Sequence, residues 1–143
     1  MIKVTLDEGA YMPEKAHKTD AGFDLKVPRN IPHSDLTVPA RGSLIIDTGV
    51  HIAIPEGYVG MITSKSGLCF KHSLLTTGTI DTGYTGSIKV KIYNASDVEY
   101  QFWKGDKIAQ LVIKAIHPDN KLVHVTTLEE TERGDGGFGS TGK

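Results

Sequence analysis

Three stretches of this 143-residue chain alternate apolar and polar residues with a period of two. The apolar positions are Ile2, Val4 and Leu6 in IKVTL, Val50, Ile52 and Ile54 in VHIAI, and Ile88, Val90 and Ile92 in SIKVKIYN. Successive side chains of a strand point to opposite faces, so each stretch offers one apolar face to a core. VEYQF, IAQLVI and KLVHV read as further strands. RNIPHSD, IPEGY, KGDK and HPDN supply turn chemistry between them, at the spacing of roughly 8 to 12 residues found in sandwiches and barrels. The pattern predicts an all-β fold. One short helix is expected over SGLCFKHS, residues 66–73, with Ser66 as its cap.

The length suits one domain with a single core. Lys and Arg total 16 against 17 Asp and Glu, with no long run of one sign, so no nucleic-acid or membrane surface built on bulk charge is expected. Cys69 is the only cysteine, which excludes an internal disulfide. The start MIKVTLDEGAYMPEK has no basic-then-apolar signal segment, and no stretch reaches membrane-spanning length. A soluble, cytoplasmic protein is the expectation.

The histidines (His17, His33, His51, His72, His117 and His124) fall into no HExxH or Cys-His ligand spacing, and nothing near Cys69 marks a paired base. The tail RGDGGFGSTGK, residues 133–143, nearly matches a phosphate-binding loop: Gly137 and Gly142 stand at the right spacing before Lys143. The Ser or Thr and the helix that must follow are missing. The underlying physics survives, because glycines let backbone N–H groups approach an anion while Arg133, Ser140 and Thr141 add donors. Asp20 and Asp24 in KTDAGFDL, Asp81 in TTGTIDTGYTG, the run SKSGL and Gln110 in KGDKIAQL add groups suited to phosphate and a divalent cation.

In sequence and in order, DAGFDL, SKSGL, GTIDTGYTG, KGDKIAQL and RGDGGFGSTG resemble the five motifs of the homotrimeric dUTP pyrophosphatase (dUTPase) family. The resemblance implies a distorted jelly-roll β-barrel or sandwich over residues 1–132. It also implies a mobile glycine-rich arm, 133–143, that closes over an active site shared between subunits of a homotrimer. It implies Mg²⁺-assisted in-line attack of water on the α-phosphorus of dUTP. The products, dUMP and pyrophosphate, would keep uracil out of DNA and supply dUMP for thymidylate synthesis.

Carried over by position, Asp81 is the general base and Tyr84 packs under the deoxyribose, excluding a 2′-hydroxyl. The backbone of the hairpin holding Gly78 and Ile80 reads uracil. Lys65, Ser66, Gly67 and Gln110 contact the phosphates. In the arm, Phe138 stacks on uracil, while Arg133, Gly139, Ser140 and Thr141 close over the phosphates. Asp24 holds waters on Mg²⁺, and Asp20 fixes its loop. The chain departs from the family pattern at Lys65, where arginine is usual, and at Gly83, Thr85 and Cys69. Two other readings on the same fold are a dCTP deaminase and a regulatory module with a protein partner.

Overall fold

The computed structural model describes residues 1–137. In chain order the elements are β1 Lys3–Leu6, β2 Gly22–Lys26, β3 Thr37–Val38, β4 Ser43–Asp47, β5 Val50–Ala53, β6 Tyr58–Thr63, α1 Ser66–His72, β7 Leu74–Ile80, β8 Lys89–Asn94, β9 Tyr100–Gln101 and β10 Lys107–Ala115. Every ladder among them is antiparallel. The main sheet runs β2-β10-β6-β7-β8-β4, and the pairs β1-β5 and β3-β9 flank it. The result is an all-β jelly roll.

β7 makes the corner. Its first half pairs with β8, from Leu74↔Asn94 to Thr76↔Ile92, and its second half pairs with β6, from Thr77↔Thr63 to Ile80↔Gly60. A strand that changes partners midway belongs to both layers, so the sheet curls around the residues between them. That space holds the alternating faces expected from sequence: Val50, Ile52 and Ile54, and Ile88, Val90 and Ile92, all buried. Leu25, Ile62, Leu111 and Phe102 belong to the same buried cluster. Fully burying a side chain of this size contributes about 1.5–3 kcal/mol.

A β-bulge alters the phase of β10. Lys107 lies opposite Lys26 and Ala109 opposite Leu25, so one extra residue, Ile108, is accommodated between them. Ile108 and Ala109 are therefore both buried.

The structure corrects three sequence expectations. Helix α1 forms, but Lys65 occupies its N-cap with extended backbone and no side-chain cap bond. Ser66 is already the first helical residue, one position too late to cap. KLVHV is not a strand: the last strand ends at Ala115, and residues 116–137 contain neither strand nor helix. Alternation makes a strand only where a ladder partner exists, and Leu122, Val123 and Val125 are exposed instead. VEYQF shrinks to the two residues of β9 that find β3. β1 forms as expected, yet Leu6 at its end remains exposed because β1 pairs only with β5. Among the described residues no helix is long and apolar enough to cross a membrane.

Phe102 is 1% exposed and packs edge-on to Tyr100 with ring centroids 4.8 Å apart. Phe102→Ala should cost about 3–5 kcal/mol in urea unfolding. Val98→Ala, at an exposed position, should change stability by less than about 0.5 kcal/mol.

Candidate active site

The strands β7 and β8 should pair along their whole length as a hairpin, but their ladder stops at Thr76↔Ile92. Beyond that point the return strand is pulled away. Ile88 donates its N–H to the Val50 carbonyl at 2.8 Å and accepts from the Thr48 N–H at 3.0 Å. The buried Thr48 hydroxyl also donates to the Ile88 carbonyl, at 2.7 Å. Hydrogen bonds that would close the hairpin are spent on β5 and the β4–β5 turn, and a slot opens beside the second half of β7.

Which backbone groups face the slot follows from parity. Both the N–H and C=O of Thr76 bond the Ser64 hydroxyl, on the β6 side. Backbone groups alternate sides along an antiparallel strand, so Gly78 and Ile80 also turn theirs toward β6. Thr77 and Thr79 face the β8 side, and Thr79 lies past the last pair of that ladder, at the slot. Gly78 and Ile80 thus lie in the expected hairpin, but their amides serve the β6 ladder. Thr79, absent from the sequence reading, presents an N–H and a C=O to the opening. An open backbone edge leaves no side-chain signal, and only the register reveals it.

Asp81 and Tyr84 stand at the mouth of this slot. Tyr84 donates its N–H to the Asp81 carbonyl at 3.2 Å, closing a turn in which Gly83 takes φ +88. That left-handed conformation suits glycine. The Tyr84 hydroxyl donates to the Ser87 carbonyl at 3.0 Å, folding the ring over Gly86. A Cβ at Gly86 would lie 2.5 Å from that hydroxyl oxygen, so only glycine admits the ring there. The loop is anchored at both ends. Thr82 donates to the Tyr58 carbonyl at 3.0 Å, and Ser87 donates a very short hydrogen bond to Asp47. Asp81 itself is exposed.

A second cluster forms where β2, β10 and the end of β6 meet. Gln110 is in register with Asp24 on one side and Thr63 on the other, which puts the three side chains on one face. Asp24 is 4% exposed and bonds two ammonium groups, Lys65 Nζ at 2.5 Å and Lys107 Nζ at 2.7 Å. The bulge in β10 makes this possible. Without it Lys107 would fall in phase with Leu25 and Val27 and meet the apolar core. Burial pushes the Asp24 carboxyl up, but hydrogen bonds from Lys107 and Lys65, with their charges, outweigh it and leave the pKa below the ordinary carboxylate value.

Ser66 and Gly67 open α1 beside Lys65, and a Cβ on Gly67 would meet nothing within 4 Å. The backbone there is open to a ligand. Asp20 accepts from the His17 N–H at 2.9 Å and fixes its own loop. Arg133 is exposed and donates from Nε to the Gly136 carbonyl at 2.9 Å, within a turn of its own segment. Phe138, Gly139, Ser140 and Thr141 lie outside the described residues. Among those described, no three His, Cys, Asp or Glu side chains stand together as a metal site. A single carboxylate shared by two ammoniums does not fit a resident divalent cation. It fits only one that arrives already held by phosphates.

Comparison with known proteins adds a family to this geometry. The family described as dUTPase matches residues 8–142. A deoxyuridine 5′-triphosphate nucleotidohydrolase of Kluyveromyces lactis is 42% identical over 144 residues, covering 99% of this chain and 94% of its own. Its counterpart from Arabidopsis thaliana is 45% identical over 139 residues, covering 96% and 80%. Among solved structures, the Staphylococcus bacteriophage 80alpha dUTPase with dUPNHPP aligns with a TM-score of 0.85 at 34% identity, over 100% of this chain and 99% of that one.

The depressed Asp24 pKa links stability to pH. Its contribution is present above the unfolded carboxylate pKa, near 3.9, and is lost as pH falls through the lower folded value. Asp24→Asn should lose roughly 2 kcal/mol at neutral pH, less than a fully buried pair because Lys107 is partly exposed. Urea titrations should show the gap between variant and wild type narrowing below about pH 4.

Proposed function

The chain belongs to the dUTPase family, and on that premise we propose that it hydrolyses dUTP to dUMP and pyrophosphate. The observation that carries this reading is the slot beside β7. The free N–H and C=O at Thr79 offer a donor and an acceptor to the edge of a uracil ring, in the manner of a strand partner. A fixed backbone edge discriminates by hydrogen-bond pattern. Tyr84, pinned over Gly86, gives the sugar a rigid floor that a 2′-hydroxyl would strike.

Asp81, exposed at the mouth of the slot, is the group to orient a water and take its proton. The reaction is a phosphoryl transfer, in which placement and charge stabilisation matter more than covalent chemistry. Lys65, Lys107 and Gln110 gather at one site, and Ser66 and Gly67 offer backbone beside them. Phosphates entering here would draw the ammoniums away from Asp24 and free that carboxylate to hold waters of a phosphate-borne Mg²⁺. That ion, when bound, supplies neutralisation of the triphosphate charge. Turnover in this way removes dUTP from the precursors of DNA and yields dUMP for thymidylate synthesis.

Within one chain the two clusters leave β6 at different ends. Met61, opposite Thr79, precedes Lys65 by four residues, about 13 Å at the rise of a strand. This supports sites shared between subunits of a homotrimer, one copy reading the base and another holding the phosphates. The exposed Leu122, Val123, Val125 and Leu128 on the extension after Ala115 support assembly as well, since apolar runs of this kind ordinarily mark contact surfaces. Residues 133–143 would complete the site, Arg133 with Gly139, Ser140 and Thr141 on the phosphates and Phe138 over uracil, with water excluded on closure.

The test is to incubate the protein with dUTP, dCTP, dTTP and UTP separately, with and without Mg²⁺, and quantify pyrophosphate and ammonia. Pyrophosphate from dUTP alone, raised by Mg²⁺, is the expected result. Ammonia from dCTP would overturn the reading. Asp81→Asn should reduce kcat by about 10²–10⁴-fold while nucleotide binding, followed by calorimetry, persists. Deleting residues 133–143 should leave the urea midpoint unchanged, because the strands end at Ala115, yet lower kcat/KM by about 10²-fold or more. Full activity in that truncation would remove the arm from the mechanism.

A further inference from the structure

The slot stays open only while the return arm of the hairpin, residues 85–88, is held against β4 and β5. Three of its anchors are Ile88 on Val50, Ile88 on Thr48, and the Ser87 hydroxyl on the Asp47 carboxylate. The fourth is different. His51, on β5, places Nδ1 2.8 Å from the Thr85 carbonyl oxygen and Nε2 3.2 Å from Oδ2 of Asp7. A carbonyl and a carboxylate only accept. Both contacts are hydrogen bonds only when both ring nitrogens carry protons, so the geometry is that of an imidazolium.

We propose that His51, as an imidazolium clamped between Asp7 and Thr85, is a positioning residue that holds the base-reading slot open and sets the placement of Tyr84. The proposal rests on the assignment of that slot to the uracil ring. Thr85 follows Tyr84 directly, so a carbonyl fixed at Thr85 limits how far the tyrosine can swing. A neutral ring has one N–H and must give up either Asp7 or Thr85.

The charges around His51 favour the doubly protonated form. Asp7 reaches it from the end of β1, and Asp47 on β4 adds a second carboxylate nearby, itself 4.0 Å from Lys89 of β8. Lys3, on β1, lines the same shallow recess as His51 and Thr85 and opposes them. The hydrogen bond to Thr85, then the one to Asp7, raise the His51 pKa above its ordinary value, with the charges of Asp7 and Asp47 adding to them against desolvation. The raised pKa means that the clamp is complete below the unfolded histidine value, near 6.5, and is lost as pH rises through the folded value.

The experiment pairs an NMR titration of the His51 imidazole with KM and kcat for dUTP across about pH 6 to 9, for wild type, His51→Gln and Asp7→Asn. The glutamine amide would keep a donor for Thr85 without titrating, and the asparagine amide would keep an acceptor for His51 without the charge. In wild type KM should rise about tenfold through the imidazole midpoint while kcat changes much less. His51→Gln should abolish that limb, and Asp7→Asn should move both the limb and the imidazole midpoint to lower pH. A purely structural histidine would lower melting temperature in His51→Gln but leave the shape of the KM profile intact, and that result would overturn the proposal. So would an imidazole titration that leaves KM unchanged. If wild type turned over no dUTP at any pH, the functional reading would fall. The clamp would still be judged by whether the Tyr84 and Thr85 amide shifts follow the imidazole in wild type and Asp7→Asn.

Discussion

The structure depends on β7 belonging to two ladders. A single strand can hold two layers only if it releases one neighbour where it takes up the other. Thr76 and Thr77 mark that exchange. On the β6 side, pairing continues to Ile80 and carries Asp81 to the end of a rigid element. On the β8 side, pairing ends at Thr76↔Ile92, and the backbone of Thr79 is left without a strand partner. The corner that lets the sheet curl around its core is therefore also what leaves this edge open. A hairpin with a complete ladder would be more stable locally and would have no slot.

Charge placement follows a similar logic. An exposed pair such as Arg41 with Asp97 contributes little, because water screens it and both side chains lose freedom. Asp24 is another case. Its carboxylate is buried, and its two lysines come from separate elements, one at the threshold of α1 and one at the foot of β10. Each ammonium is held near the other only by the shared carboxylate between them. The cluster gathers two ammoniums around one carboxylate and so keeps net positive charge in one place. Lysine at position 65 gives up the bidentate fork of an arginine and places a compact point charge on Asp24.

Much of this was legible beforehand, and the failures have physical causes. The alternating stretches at 50–54 and 88–92 put the expected residues in the core, because the period of two leaves few other solutions once both layers are apolar. KLVHV has the same alternation and failed, since a strand is defined by a neighbour as much as by its own side chains. Ser66 misled by one position because cap preference does not reveal where the backbone turns helical. Asp81 and Tyr84 stood out as polar residues in a tight turn, and the turn is where they are. His51 gave no signal in one dimension: its partners, Asp7 and Thr85, lie 44 and 34 residues away.

The amino-acid order by itself determined the β character of the chain, the positions of its turns, the stock of carboxylates, lysines and glycines, and the motifs that mark its family. Those properties are local, set by side-chain period and by the backbone freedom of single residues. Only the tertiary structure decided that Thr79, and not Gly78 or Ile80, faces the open edge, that a bulge swings Lys107 from the core face to Asp24, and that Ile88 deserts β7 for Val50. Each is a matter of register between strands distant in sequence. Register is settled by which hydrogen bonds and which apolar faces can be satisfied at once.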